Sequence, residues 1–489
     1  MTSHLARCVS LLAAVAVLLA AGCARPAPTS PRHTGLVDIF AACKDSVVKF
    51  TATRVEEKKP AQKEGTKPPA NVRVTHTQWG SGCILHRDGY VLTNSHMLRF
   101  EGRRKATLYD GTSCPCHLVA ADDVHDLAVL KLEGDRTFTP LRLGRSSDVM
   151  VGEPAITIGS PFGISFTMAA GIISGHHRGT RTDFADLHDM IQTDASINPG
   201  TSGGPLLNAE GKLIGICTSS KREADNIAFA IPIDRARALL PDILAVEGRY
   251  GFHLGLAIAA GEAAIVESVA DASPAHTAGI EPGDLVTAVD GEPVESDLDF
   301  HFALVGRKGG QTLPFALRRK GRTIHVAVTL GEVPLRPADA PEALVSGLRV
   351  EHYAGRWSRL PDFATLQPAA TSHCPTFDLA QYKGTEAFAL RFTGYVQVPS
   401  DGSYAFYTRS DDGSRLYIAD QLVVDNDGLH AAASARGFIA LSAGKHAITV
   451  TFFEAGGDDE LAVSYEGQGL PKQEIPASAL FRAPPPPKP

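Results

Sequence analysis

Between residues 36 and 243 the apolar positions come in short runs cut by glycine, as in GCILHRDGYVLTNSH, DLAVLKL, PAITIGSPFG and IGICTS. Runs this short, bounded by turn residues, predict the strands of β-barrels and leave no room for long helices. The pattern restarts near residue 250. From 346 to 483, segments such as LRVEHYAGRW, FALRFTGYVQVPSDGSYAFYTRSDDG and LSAGKHAITVTFFEAGGDDELAVSYEG alternate apolar and polar residues between turn signals, which predicts a β-sandwich. Four stretches carry no apolar period: a tether at 24–35, a Lys/Glu/Pro-rich mobile loop at 56–72, a linker at 333–345 and an extended Pro-rich tail at 484–489. The fold class is therefore mainly β.

Residues 1–23, MTSHLARCVSLLAAVAVLLAAGC, follow Arg7 with an apolar run that ends in small residues before Cys23. This run is too short to span a membrane and reads as an export signal. Its end, LLAAGC, resembles the lipobox of bacterial lipoproteins, with Ala20 where leucine is usual. The resemblance implies acylation of Cys23, a lipid anchor in a bacterial membrane, and a periplasmic or cell-envelope location; cleavage at nearby small residues, giving an unlipidated secreted chain, is the alternative.

A chain of 489 residues exceeds a single hydrophobic core, and its 44% apolar and 21% charged residues are those of a folded globular protein. The net charge of −7 carries no sign of nucleic-acid binding. Export permits disulfides among the cysteines, but their spacing identifies no pair and no zinc site. Cys83 and Cys217 lie in apolar runs and read as core thiols, whereas Cys114 and Cys116 flank Pro115 and read as a loop pair, free or bonded elsewhere.

The segment NPGTSGGPLLN, residues 198–208, surrounds Ser202 with glycine and proline. A serine becomes a nucleophile when an imidazole takes its proton, a carboxylate holds that imidazole, and N–H groups stabilise the oxyanion. Upstream, YVLTNSHML places His96 at the end of one apolar strand, and DDVHDLAVLKL places Asp126 at the start of another. A lone Gly-x-Ser-Gly is more often only a turn. Here the three contexts stand in order, and with GSPFG, QTDASINPGTSGGPL and IAFAIP they resemble an HtrA/Deg-type trypsin-fold serine protease across 36–243.

That resemblance implies a chymotrypsin-like double β-barrel in which Ser202 attacks, His96 is general base and then acid, and Asp126 orients the imidazole. The backbone of Gly200, Thr201 and Ser202 would form the oxyanion hole. Thr201 stands where the family has asparagine and Ser95 where it has alanine; neither is a catalytic side chain. The chemistry needs no cofactor, and the family implies a homo-oligomer, a trimer. In this fold the specificity pocket would be walled by Ile197, Ile216 and Cys217, none acidic, so a small-to-medium aliphatic residue fits better than Lys or Arg. Residues 176–190, HHRGTRTDFADLHDM, lie where the family has loops that order on activation; an ordinary charged loop is the other reading.

Residues 250–332 resemble one PDZ domain, an α+β fold, through GFHLGLAI and SPAHTAGIEPGDLVTAVDGEPV. The resemblance implies strand addition of a peptide whose C-terminus meets the N–H groups of Leu254, Gly255 and Leu256. His253 replaces the more usual aromatic or aliphatic residue and leaves ligand preference open; a spacer domain is the alternative. Residues 346–483 resemble the PA14 (protective-antigen-type) β-sandwich. In its adhesin branch an Asp-Asp pair and an asparagine hold calcium that binds sugar hydroxyls, and Asp411, Asp412 and Asn426 match these, although the same dipeptides also make ordinary hairpin turns. The expected protein is an exported endopeptidase acting on unfolded or exposed protein segments, with C-terminal peptides and glycans as further partners. A folding factor with weak proteolysis and a glycan-binding surface protein are the rival classes.

Overall fold

The computed structural model describes residues 34–58, 72–98, 103–181, 186–220, 226–341, 343–382, 387–430, 432–457 and 459–484. The export signal with Cys23 lies outside the described residues, as do most of the tether, residues 59–71 and residues 485–489. No helix among the described residues is long and apolar enough to cross a membrane.

A helix, α1 (Gly35–Cys43), leads into β1 (Val47–Lys58), β2 (Val72–Ile84), β3 (Tyr90–Thr93), β4 (Arg103–Thr107), β5 (Ser113–Asp122) and β6 (Leu127–Leu132). These close into a barrel in the order β1-β2-β3-β6-β5-β4. The next six are β7 (Pro154–Gly159), β8 (Thr167–Arg181), β9 (Asp186–Thr193), β10 (Pro205–Leu207), β11 (Leu213–Ser220) and β12 (Ala228–Pro232). They close in the same cyclic order, so the two barrels share one topology.

The continuous apolar runs follow from burial on both strand faces. Val48, Ile84 and Leu130 fill the first barrel. Their neighbours Val47, Cys83 and Val129 face a core between the barrels, where they join Leu207 and Ile216 from the second. Leu206 and Cys217, one residue away, point into the second barrel.

Two helices, α2 (Ile233–Leu244) and α3 (Val246–Tyr250), lead out of the barrels. The next unit contains β13 (Phe252–His253), β14 (Leu256–Ile258), β15 (Val266–Val269), α4 (Pro274–Thr277), β16 (Leu285–Val289), β17 (Glu292–Pro293), α5 (Asp297–Ala303), β18 (Thr312–Arg319), β19 (Arg322–Thr329) and β20 (Gly331–Glu332). A capping box between Ser296 and Asp299 starts α5 by satisfying its free N–H groups from both directions. Two contacts seat this unit on the barrels: a buried ion pair, Arg237 Nε to Asp297 Oδ1 at 3.0 Å, and the stacked rings of Tyr90 and Phe302, 4.5 Å apart.

The C-terminal strands are β21 (Val345–Ser346), β22 (Leu348–Ala354), β23 (Ala370–Cys374), β24 (Phe388–Val398), β25 (Gly402–Asp411), β26 (Ser414–Ile418), β27 (Gln421–Asn426), β28 (Ala433–Leu441), β29 (Gly444–Glu454), β30 (Glu460–Gly467), β31 (Leu470–Glu474) and β32 (Leu480–Arg482). They form an eight-stranded sheet and a four-stranded sheet ordered β28-β25-β30-β31. The alternating side chains Phe392, Val450 and Phe452 from one and Tyr404, Phe406 and Tyr465 from the other share a single core.

Four local expectations change. Cys114 and Cys116 lie on β5, not in a loop, because the Pro115 between them needs no ladder donor at its position; all six cysteines of the described residues are free thiols. Residues 176–181 and 186–190 are strand and not free loop: β8 and β9 pair as far as Arg181 and Asp186, and repeated register shifts hide the alternation that would mark them as strands. The Lys/Glu/Pro stretch is paired at its ends, with Lys58 opposite Val72 and Glu57 opposite Arg73. The linker is docked: Arg336 N–H donates to Ala440 O and Asp339 N–H to Lys445 O, both at 2.8 Å.

Candidate active site

His96 and Asp126 come from the first barrel and Ser202 from the second. His96 sits in a single 3-10 turn, Ser95–Leu98, that stops β3. Asp126 occupies the tight turn between β5 and β6 with φ 54, a left-handed conformation that aspartate tolerates better than most residues. His96 Nδ1 lies 2.8 Å from Asp126 Oδ1 and 2.9 Å from Oδ2, and the His96 backbone N–H donates to Oδ1 at 3.0 Å. Asp126 is only 2% exposed, so its charge must be met by donors, and these geometries supply them.

The second barrel adds Thr218, which the sequence reading missed. Strand β11 bulges between Cys217 and Ser219, leaving Thr218 without a ladder partner. Its hydroxyl donates to Asp126 Oδ2 at 2.7 Å, and its carbonyl accepts from Ser202 Oγ at 2.9 Å. One residue thus joins the carboxylate of one barrel to the serine of the other. The only signal in the sequence is a small hydroxyl residue at the end of the apolar run Leu213–Cys217.

The serine loop is fixed by its backbone. Ser81 Oγ donates to Gly200 O at 2.7 Å, Ser81 N–H donates to Ser202 O at 2.8 Å, and Phe162 N–H donates to Pro199 O at 2.7 Å. Gly200 has φ +100, and a Cβ there would press into the Ser160 carbonyl; at Gly203, φ +82, it would press into Ser81 O. Only glycine fits either place. Because each peptide is trans, the bound carbonyls of Pro199 and Thr201 turn the N–H groups of Gly200 and Ser202 the opposite way. The Thr201 N–H is used differently, donating to Asn198 O at 2.8 Å, so Thr201 shapes the turn.

The expected pocket wall needs correction. Ile216 and Cys217 have no exposed surface and Ile197 is 5% exposed. Ile216 belongs to the core between the barrels and the other two to the second barrel, so they line packed interior, not an open pocket. Burial pushes the Cys217 thiol well above its ordinary range and that of Cys83 likewise, as expected of inert core thiols.

A family model for the trypsin-like peptidase domain matches residues 80–216. The chain carries a trypsin-like peptidase domain. A PDZ family model matches 238–330 and a PA14 family model matches 378–478. Among curated proteins, the chain is 34% identical over 312 residues to a "Probable periplasmic serine endoprotease DegP-like" of Chlamydia trachomatis, covering 60% of this chain and 61% of that protein. It is 35% identical over 272 residues to one of Hahella chejuensis, covering 52% and 57%. The chain thus spans about three fifths of the length of the curated relatives it matches. Among solved structures, it is 28% identical to the HtrA-type protease AlgW with decapeptide, with TM-score 0.38, covering 62% of this chain and 100% of that one.

Within the PDZ domain, the N–H groups of Leu254 and Gly255 already meet a carboxylate: Glu247 Oε2 accepts from Leu254 at 3.1 Å and Oε1 from Gly255 at 3.3 Å. Leu256 belongs to β14, paired with Val269. In the PA14 domain, the carboxylates of Asp411, Asp412 and Glu454 each offer one oxygen within 4.8 Å of the others. Glu454 was missed, although it ends the apolar run ITVTFFE just before a glycine turn. It is 1% exposed, and its Oε2 is buried without a hydrogen-bond partner. Burial, with the charges of Asp412, Asp459 and Asp411 behind it, pushes the Glu454 carboxyl up to about 7. Asn426 is tied through its amide nitrogen to Ser410 Oγ at 3.0 Å and Ala433 O at 3.1 Å.

Proposed function

We propose that the chain is an exported serine endopeptidase that cuts unfolded or exposed protein segments, with Ser202, His96 and Asp126 as its catalytic residues. The observation that carries this reading is the His96–Asp126 pair, held at 2.8 Å and joined through Thr218 to the serine loop. A substrate carbonyl in the cleft between the barrels is attacked by Ser202 Oγ. Its hydroxyl has one proton, which must leave the Thr218 carbonyl and pass to His96 Nε2. Asp126 holds the other ring nitrogen and stabilises the imidazolium. The N–H groups of Gly200 and Ser202 receive the negative charge developing on the carbonyl oxygen. His96 then protonates the leaving amine, and water repeats the sequence to release the acyl group. No metal or cofactor takes part in these steps.

The periplasmic relatives and the N-terminal apolar run support export; the LLAAGC end of that run supports Cys23 as a lipid anchor, and the HtrA-type resemblance supports a homo-oligomer. The PDZ domain binds C-terminal peptides by strand addition. In the PA14 domain, Asp411, Asp412 and Glu454 would hold calcium, since an all-oxygen donor set suits it and the buried, unpartnered Glu454 Oε2 lacks another counter-charge. Asp412 is 6% exposed, which favours an ion that ties loops together over one that receives sugar hydroxyls.

The test is casein turnover by the purified chain and by Ser202→Ala. The variant should lose nearly all turnover while keeping its fold, since a single hydroxyl adds little packing. Equal turnover by the two would remove the protease reading and leave the folding-factor class.

A further inference from the structure

The loop assigned to peptide carboxylates is engaged from inside the chain. Glu247, in α3, turns back onto the segment that follows its own helix. Its two oxygens take the adjacent N–H groups of Leu254 and Gly255, and His253 Nδ1 lies 3.0 Å from Oε2. A peptide C-terminus has the same charge and the same pair of oxygens, so the two carboxylates require the same donors. We propose that Glu247 is an internal competitor of C-terminal peptides, occupying the carboxylate loop until a free peptide carboxylate displaces it. This rests on the peptide-binding reading of the domain.

The helix that carries Glu247 is held by the C-terminal sandwich. Ser403 Oγ donates to Gly248 O, and Arg249 Nη1 pairs with Glu466 Oε1 at 2.5 Å. Phe438 packs so closely that a Cβ at Gly248 would lie 2.8 Å from its ring. Arg436 Nη1 donates to Ile243 O at 3.2 Å, just before the helix. The two residues that follow Glu247 are therefore fixed by strands β25, β28 and β30, which aim its carboxylate at the loop. The Glu247 and His253 side chains are 35% and 52% exposed, so an incoming peptide can reach the contact and compete for it. Displacement of Glu247 would free α3 on its PDZ side, at the joint where barrels, PDZ domain and sandwich meet.

The experiment measures binding of a fluorescein-labelled decapeptide ending in Ala-Leu-Val, with a free carboxylate or amidated, to the full chain carrying Ser202→Ala to prevent cleavage. Removing the competitor by Glu247→Ala should tighten the free-carboxylate peptide about tenfold and leave the amidated one unchanged. Glu247→Gln, which keeps an acceptor and loses the charge, should fall between. Glu466→Ala, which cuts Arg249 from the sandwich, should give a smaller gain of about threefold. Hydrogen exchange at the Leu254 and Gly255 amides, followed without peptide, should quicken in Glu247→Ala. If the free carboxylate is preferred but Glu247→Ala binds no tighter than the parent, the competition is overturned while the peptide reading survives. If both peptides bind alike in every variant, the peptide reading itself falls and the competition with it.

Discussion

Thr218→Val tests whether the bulge in β11 contributes to catalysis. Valine keeps the volume of threonine and removes only the hydroxyl that donates to Asp126 Oδ2 at 2.7 Å. The carboxylate retains His96 Nδ1 at 2.8 Å, the His96 N–H at 3.0 Å and Ser95 Oγ at a long 3.4 Å. A hydrogen bond to a charged acceptor contributes about 1.5–3 kcal/mol. Part of that loss is common to the free enzyme and the transition state, and about 1–2 kcal/mol should appear in the barrier, a fall of roughly 5- to 30-fold in kcat. KM should stay within about twofold, because the Thr218 hydroxyl faces Asp126 and not the cleft. The assay is steady-state cleavage of a fluorogenic peptide, with circular dichroism to check the fold. Thr218→Ser, which restores the hydroxyl, should recover most of the loss. A Thr218→Val enzyme with unchanged kcat, or a Thr218→Ser enzyme equally impaired, would refute the positioning role.

Two further outcomes concern the other domains. Calcium should stabilise the full chain by mass action, by about 2.7 kcal/mol at a hundredfold excess over Kd, and so raise its melting temperature, and Glu454→Gln should remove most of that rise; melting indifferent to calcium and to chelator would dismiss the ion. Burial lowers the His301 imidazole to about 4 from its ordinary 6.5. The unfolded chain therefore binds a proton that the native one refuses between these values, and stability falls as pH drops through that window, by about 2–3 kcal/mol after allowance for partial exposure. His301→Gln should lose this dependence when denaturation midpoints are compared at pH 7 and pH 4.5, and parallel curves for the two proteins would contradict the assignment.

His96, Asp126 and Ser202 could be found in the sequence because each is marked by its neighbours: a strand end, a turn before a strand, and glycines forced by close backbone approach. The barrel strands and the sandwich were legible for a related reason, since apolar periodicity is a local property of strands, whereas the double-barrel arrangement and the PDZ domain were legible through motifs that resemble known families. What remained hidden is contact between distant segments. Alternation shows that Ile216 and Cys217 point opposite ways, but which core receives each depends on barrel closure, and closure buried both. Thr218 meets Asp126 across 92 residues, through a bulge that no residue pattern announces. Glu454 reaches Asp411 and Asp412 only when β29 and β25 are brought together in the sandwich. Glu247 meets the Leu254 and Gly255 N–H groups from a helix that Arg249 ties to Glu466 of another domain. Sequence decides which face of each strand is apolar and where the chain can turn; the polar atoms that meet across the resulting interfaces are decided by packing, which couples residues far apart in the chain.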